Sequence, residues 1–258
     1  MLSHDVNIYK NTVEAKKLND KKFVVLLDPD KCNNQKLNQV IKLSNDAHVD
    51  YFYIGGSLLL HSDLDNFLIR IKEQSNIPTI LFPGTTHQIS QEADAILYLS
   101  MISGRNPDLL IGKHVESAAH IKASGIEVIS TGYMLIDGGR PTSVNYISNT
   151  LPIPHDKNSI AVSTAIAGEL LGLKLIYLEA GSGADVPVSP SMINAVSTHI
   201  DIPLIVGGGI KNPEIAKLSA EAGADIIVIG NALEKDPELI IDMSAAIHSV
   251  NVKSTSDA

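Results

Sequence analysis

The stretch LIYLEAGSGAD, Leu175 to Asp185, decides the fold. Four apolar residues (Leu175, Ile176, Tyr177, Leu178) read as a short buried strand. Glu179 breaks the run, and the chain then turns through Gly181, Ser182 and Gly183. A strand ending in glycines lets successive backbone N–H groups converge without interference from Cβ, and such a nest binds anions, phosphate above all. Two later strands end the same way, LIVGGGI (Leu204 to Ile210) and IIVIGNAL (Ile226 to Leu233). One such loop is as well explained by an ordinary βα turn. Three in succession point to one shared phosphate at the C-terminal face of a (β/α)8 barrel, where the loops after the late strands build such sites.

Working back along the chain, the same alternation recurs. FVVLLD (23–28), DYFYIG (50–55), PTILFPG (78–84), ADAILYL (93–99) and EVISTGYMLID (127–137) are the earlier strands, β-branched and apolar as expected of parallel strands buried on both faces. Helical patterns separate most of them, so the expected fold is α/β, a modified (β/α)8 TIM barrel rather than an open doubly wound sheet. The connection from Pro83 to Glu92 is too short for a full helix, so the outer helix after strand three is expected to be curtailed or missing. At 258 residues the chain suits one such domain, with an N-terminal helical extension over 1–20 laid outside the barrel and a polar tail over 251–258. Residues 138–155, with three prolines, read as a long functional or mobile loop, and 159–172 as a helix buried against the barrel or a second subunit. The last helix is expected over 237–250.

A formal charge of −9 without a Lys/Arg cluster argues against nucleic acid as a partner, because backbone affinity needs a basic surface. The single cysteine, Cys32, excludes an intramolecular disulfide and suits a reducing cytoplasm. The N-terminus lacks the apolar core of a signal peptide, and no run approaches the length of a membrane span. A soluble cytoplasmic protein is expected, with transient contact at a membrane surface left open.

Two constellations can do chemistry. The first strand ends in DPDK, and Asp28 with Ser57, which follows Gly55 and Gly56 on the next strand, can flank a Mg²⁺ ion that leaves its other positions to water and substrate phosphate. Asp28 as a plain helix cap is the alternative. A metal on one rim and a nest across it imply two phosphorylated groups, a pattern that favours a diphosphate leaving group and a phosphate-bearing acceptor. Tyr177 and Glu179 share one face of their strand at its end, where a carboxylate can serve as general base and a tyrosine can orient the hydroxyl. A glutamate satisfied by backbone or a lysine is the alternative there. His87, His114, His120 and His155 show no metal-ligand spacing.

Taken together, LLDPDK, YIGGSLL, LFPGTTHQIS, SGRNPDLLIGKHV, STGYMLIDGG, YLEAGSGA, VGGGI and VIGNAL resemble the geranylgeranylglyceryl phosphate synthase family, which includes the PcrB-like heptaprenylglyceryl phosphate synthases. The resemblance implies a Mg²⁺-dependent prenyltransferase acting on sn-glycerol 1-phosphate and a polyprenyl diphosphate, with Asp28 and Ser57 at the metal and Glu179 and Tyr177 at the chemistry. It also implies a glycerol-phosphate site made of Tyr177, Leu178, Glu179, Ala180, Gly181, Ser182 and Gly183, with Gly208, Gly209, Gly230 and Asn231. The 138–158 region looks like the subgroup that uses a geranylgeranyl donor, with a heptaprenyl donor as the alternative. A homo-oligomer is expected. A phosphosugar isomerase or aldolase would use the same nest, but its Schiff-base candidates are Lys31 and Lys174, and Lys174 starts its strand and faces the wrong rim. A non-catalytic lipid-phosphate carrier would have no use for Asp28, Ser57 and Glu179 together.

Overall fold

Eight short parallel strands close on themselves in sequence order: β1 (Lys22–Leu27), β2 (Tyr51–Ile54), β3 (Thr79–Leu81), β4 (Ala95–Met101), β5 (Glu127–Leu135), β6 (Leu175–Glu179), β7 (Leu204–Gly207) and β8 (Ile226–Ile229), with β8 pairing β1. The computed structural model describes residues 7–56 and 63–251. Alternate residues of each strand split between two apolar clusters, as the period of two requires. Val24, Tyr53, Leu97, Tyr133, Tyr177 and Val228 fill the barrel, whereas Val25, Phe52, Ile96, Met134, Leu178 and Ile227 pack beneath the helices. Both faces are dry, which is why the strands read as continuous apolar runs.

The outer helices begin where the sequence supplies caps. Asn33, Asp63, Ser189 and Asn212 each accept a backbone N–H of the first turn, opening α2 (Asn34–Asp46), α3 (Leu64–Lys72), α7 (Pro190–Ser197) and α8 (Pro213–Glu221). Pro190 and Pro213 occupy first helical positions, where a missing N–H costs nothing. A π-helical turn (Asp108–Gly112) leads into α4 (Lys113–Ser124). Among the described residues, 82–94 between β3 and β4 hold turns and bends but no helix.

Four expectations change. The N-terminal helix α1 (Ile8–Lys17) does not lie outside the barrel; it crosses the N-terminal mouth. Its first two N–H groups donate to the Glu127 carboxylate at 2.7 and 3.0 Å, Ile8 packs into the interior cluster, and Lys16 pairs with Asp225 below β8. Residues 138–155 are not a featureless loop, because they contain α5 (Ser143–Ser148) and return beside β5 through an Ile136–Ile153 bridge. The helix α6 (Asn158–Leu170) buries only Ala161, Ala165 and Gly168, leaving Ile160 and Leu170 exposed: its small residues let one face sit close to the sheet. Strand β8 ends at Ile229 and a short α9 (Asn231–Lys235) takes up the residues after it, while the last helix falls inside its expected range as α10 (Leu239–His248), whose His248 bonds to Asp50 at 3.0 Å.

Candidate active site

The C-terminal ends of the strands open into a cavity of about 650 Å³. Its floor is aromatic. Phe82 stacks on Tyr177 at 5.4 Å between ring centroids, and Tyr133 meets Tyr177 edge-on at 5.3 Å. Starting from Leu175, a period of two turns Tyr177 and Glu179 inward, and Glu179 is the last inward residue of β6. Opposite it in register stands Gly207 of β7. A side chain there would not fit, since a Cβ would come within 2.5 Å of Tyr177 Oη and 3.1 Å of Glu179 Oε2. The tyrosine and glutamate oxygens therefore share the space that Gly207 leaves free.

Burial sets the chemistry of Glu179. Its carboxyl is pushed from the ordinary 4.5 up to about 7 because the charged form is stripped of water; the Gly181 N–H, donating to Oε1 at 2.7 Å, and the nearby Tyr177 hydroxyl only partly offset this. No lysine pairs with it among the described residues, which removes the lysine-satisfied alternative. A carboxyl poised near neutrality in a cleft is suited to accepting a proton. Tyr177 Oη lies beside this carboxylate, fully buried, and meets the distance and angle of a hydrogen bond with no group among the described residues. Burial raises the Tyr177 hydroxyl pKa far above its usual value, keeping it a neutral donor.

Next to Glu179 four glycines with left-handed backbone angles come together. Gly181, Gly183, Gly208 and Gly209 have φ of +99°, +75°, +82° and +71°. The N–H groups of Ser182, Gly183, Gly208 and Gly209 enter no hydrogen bond among the described residues, although they line or border a cleft. Unused N–H groups gathered at one place are the donor set of an anion site. Asn231 stands beside these glycines from the loop after β8, with Nδ2 3.3 Å from the point where a Cβ on Gly183 would stand. Gly230 also lines the cavity. Leu178 and Ala180 do not: their side chains pack in the outer cluster, and the Ala180 N–H donates to Gly207 O at 3.0 Å.

On the opposite rim Asp28 directly follows β1. It accepts from Asp30 N at 3.1 Å and pairs with Lys31 at 2.9 Å, while Lys31 also reaches Glu234 at 3.6 Å. Lys31 is thus a partner of carboxylates and not a free amine. A Cβ on Gly56 would fall 2.8 Å from Asp28 Oδ2, so glycine keeps open the space beside this carboxylate. Ser57, the second expected ligand, lies outside the described residues. Among the described residues no group of three or more His, Cys, Asp or Glu side chains could hold a metal by itself. A mostly buried carboxylate with open space beside Oδ2 suits a Mg²⁺ ion that arrives with a substrate diphosphate and takes the place of the Lys31 contact, the usual mode for this ion.

From this rim the cavity extends sideways past the turns and bends of 82–94, along Pro83, Ile89, Ile96, Tyr98, Leu109 and Ile121. His114, buried in the same wall, bonds through Nε2 to Ser100 Oγ at 3.0 Å, and burial lowers its pKa, so it is a neutral wall residue. The sequence reading missed the second layer over the nest. Gly138 O accepts from Asp185 and Val186 N–H, Thr142 covers Gly181, and Arg140 reaches Gly183. The only available signal was the run DGGR after β5, whose glycines permit the close approach.

The model of the PcrB family matches residues 16–248. The chain belongs to the PcrB family. Among PcrB relatives, the geranylgeranylglyceryl phosphate synthase of Chitinophaga pinensis is 52% identical over 242 residues, covering 94% of this chain and 96% of that one. The synthase of the same name from Thermococcus kodakarensis is 44% identical over 217 residues, covering 84% and 85%. A solved PcrB-type structure, (S)-3-O-geranylgeranylglyceryl phosphate synthase from Thermoplasma acidophilum in complex with sn-glycerol-1-phosphate, superposes with a TM-score of 0.88 at 31% identity, covering 96% of this chain and all of that one.

Proposed function

We propose that this chain is a geranylgeranylglyceryl phosphate synthase, transferring the geranylgeranyl group of its diphosphate to the 3-hydroxyl of sn-glycerol 1-phosphate. The observation that carries the reading is the juxtaposition of a buried, proton-accepting Glu179 with four unused glycine-nest N–H groups in a chain of this family. The acceptor's phosphate sits in the nest of Ser182, Gly183, Gly208 and Gly209, with Gly181 and Gly230 shaping it and Asn231 donating from the side. That placement directs the glycerol hydroxyls toward Tyr177 and Glu179. Tyr177 donates its unpartnered hydroxyl to the acceptor, and Glu179 takes the proton of the 3-hydroxyl as the ether C–O bond forms and the allylic C–O bond to diphosphate breaks. The dry aromatic floor keeps water from competing for the allylic carbon.

Asp28, with Ser57, would hold Mg²⁺ on the donor's diphosphate, and that ion when bound supplies charge neutralisation of the leaving group. Lys31 adds a second positive charge at the same rim. The barrel is a modified (β/α)8 fold in which the gap after β3 serves as the exit for the prenyl tail; each CH₂ buried there contributes about 0.8 kcal/mol, so a twenty-carbon chain is held by several kcal/mol. No described helix is long and apolar enough to cross a membrane, which fits a cytoplasmic enzyme meeting its lipid substrate and product at a membrane surface. The exposed Ile160 and Leu170 of α6 support assembly into a homo-oligomer.

The test is turnover of radiolabelled sn-glycerol 1-phosphate with farnesyl, geranylgeranyl and heptaprenyl diphosphates, each with Mg²⁺ and with EDTA. Ether product with the geranylgeranyl donor is expected, lost in EDTA and lost in Asp28→Ala, which should fold normally. Preference for the heptaprenyl donor would correct the chain length, and no product from any donor would refute the synthase.

A further inference from the structure

We infer that Arg140 is the side-chain clamp on the acceptor's phosphate, a full positive charge set directly against a nest of neutral N–H groups; this rests on the functional reading above. The nest supplies only partial charges. Against them stand a phosphate monoester that carries close to two negative charges at neutral pH, the Glu179 carboxylate beside it, and Asp185 at the end of the same turn. A cation at this point removes that conflict.

The geometry places Arg140 there. Its Nη2 lies 3.0 Å from the point where a Cβ on Gly183 would stand, on the side where Asn231 Nδ2 lies at 3.3 Å. Two side-chain donors, from the loops after β5 and β8, therefore flank the bare Cα of Gly183, next to the unused N–H groups of Ser182 and Gly183. Among the other lysines lining the cavity, Lys31 pairs with Asp28 and Glu234 and Lys113 with Glu116; Lys211, which donates to the Asp185 carbonyl at 3.1 Å, and Lys235 both stay more than 4 Å from the point where a Cβ on Gly183 would stand.

The segment carrying Arg140 is pinned at several points, so the guanidinium is delivered and not merely nearby. Asp137 N donates to Ile153 O and Ile153 N to Leu135 O, both at 2.9 Å, closing the base of the 138–153 excursion. Gly138 O accepts from Asp185 and Val186 N–H at 2.9 and 3.0 Å, fastening the excursion to the nest turn. A Cβ on Gly138 would come within 2.5 Å of Ala180 O, so only glycine allows this contact. Beyond Arg140, Thr142 N donates to Asn145 Oδ1 at 2.9 Å and opens α5. Only the side chain is loose: Arg140 is 54% exposed and its single ion pair, with Asp185, is long at 3.8 Å. Such an exposed pair is weak, so the guanidinium is free to turn onto a phosphate, which it can grip through two parallel N–H bonds.

The experiment compares wild type, Arg140→Ala, Arg140→Gln and Arg140→Lys by calorimetric titration with sn-glycerol 1-phosphate and with inorganic phosphate, alongside steady-state kinetics and thermal melting. Loss of a charge-assisted contact should weaken both ligands about 10- to 100-fold in the Ala and Gln variants. Lys should recover part of the affinity, because it restores the charge without the fork. KM for glycerol phosphate should rise by the same factor while kcat at saturation and KM for the prenyl diphosphate stay near wild type. Unchanged affinity in Arg140→Gln, with an unchanged melting temperature, would overturn the assignment and leave the synthase reading intact. A KM increase falling on the prenyl diphosphate would move Arg140 to the donor and equally overturn it. Failure of the wild type itself to bind either ligand would refute the functional reading.

Discussion

Replacing Glu179 by glutamine should stabilise the protein above neutral pH while abolishing turnover. Burial raises the carboxyl from 4.5 to about 7, so between those values the native state holds a proton that the unfolded chain has released. Stability therefore falls as pH rises through this window, and above pH 7 the ionised carboxylate costs the native state roughly 3 kcal/mol at about 1.4 kcal/mol per pH unit. Glutamine has nearly the same shape, its Oε1 can still accept the Gly181 N–H, and its amide can donate to the unpartnered Tyr177 Oη. The variant should match wild type near pH 4.5 and exceed it at pH 8 by up to about 3 kcal/mol, or roughly 6–12 °C in melting temperature for a chain of this size. Wild-type kcat/KM should rise with unit slope to a plateau beginning near pH 7, and Glu179→Gln should lower kcat far more than it weakens glycerol-phosphate binding. Equal melting differences at pH 5 and pH 8 would refute the strained carboxylate. A flat rate profile from pH 5.5 to 8, or an active glutamine variant, would remove Glu179 as the base.

Tyr177→Phe deletes a buried hydroxyl that has no partner, so melting should be unchanged or slightly higher, with turnover falling about tenfold through the lost donor; a marked loss of stability would show the hydroxyl to be structural. Gly208→Ala places a Cβ 2.4 Å from Glu179 Oε1 and 2.5 Å from Gly181 N at φ +82°, and should cost well over 1 kcal/mol and lose glycerol-phosphate binding. Gly125→Ala, at φ +74° with nothing within 4 Å, is the control for backbone strain alone and should keep full affinity; equal loss in both would show that the effect at Gly208 is generic.

The sequence by itself determined the parts whose causes are local. A strand buried on both faces is apolar along most of its length, so all eight strands were legible, and the period of two from Leu175 placed Tyr177 and Glu179 on one inward face. Positive φ demands glycine, so the nest at Gly181, Gly183, Gly208 and Gly209 could be read before any coordinates. The caps Asn33, Ser189 and Asn212 are equally local in cause, each accepting the N–H of the residue three positions on. Tertiary structure alone decided what depends on residues distant in the chain. The raised pKa of Glu179 comes from its burial in an end of the barrel built from β5, β6 and β7, which no window around residue 179 contains. The sequence placed Asp28 at a strand end, but not Lys31 and Glu234 around it. The helix α1 left the outer ring for the barrel mouth because Glu127 and Asp225, more than a hundred residues away, offer carboxylates to its N–H groups and its lysine. Arg140 comes to the phosphate nest because the fold brings the loop after β5 against the turn after β6, and a glycine at 138 lets them touch.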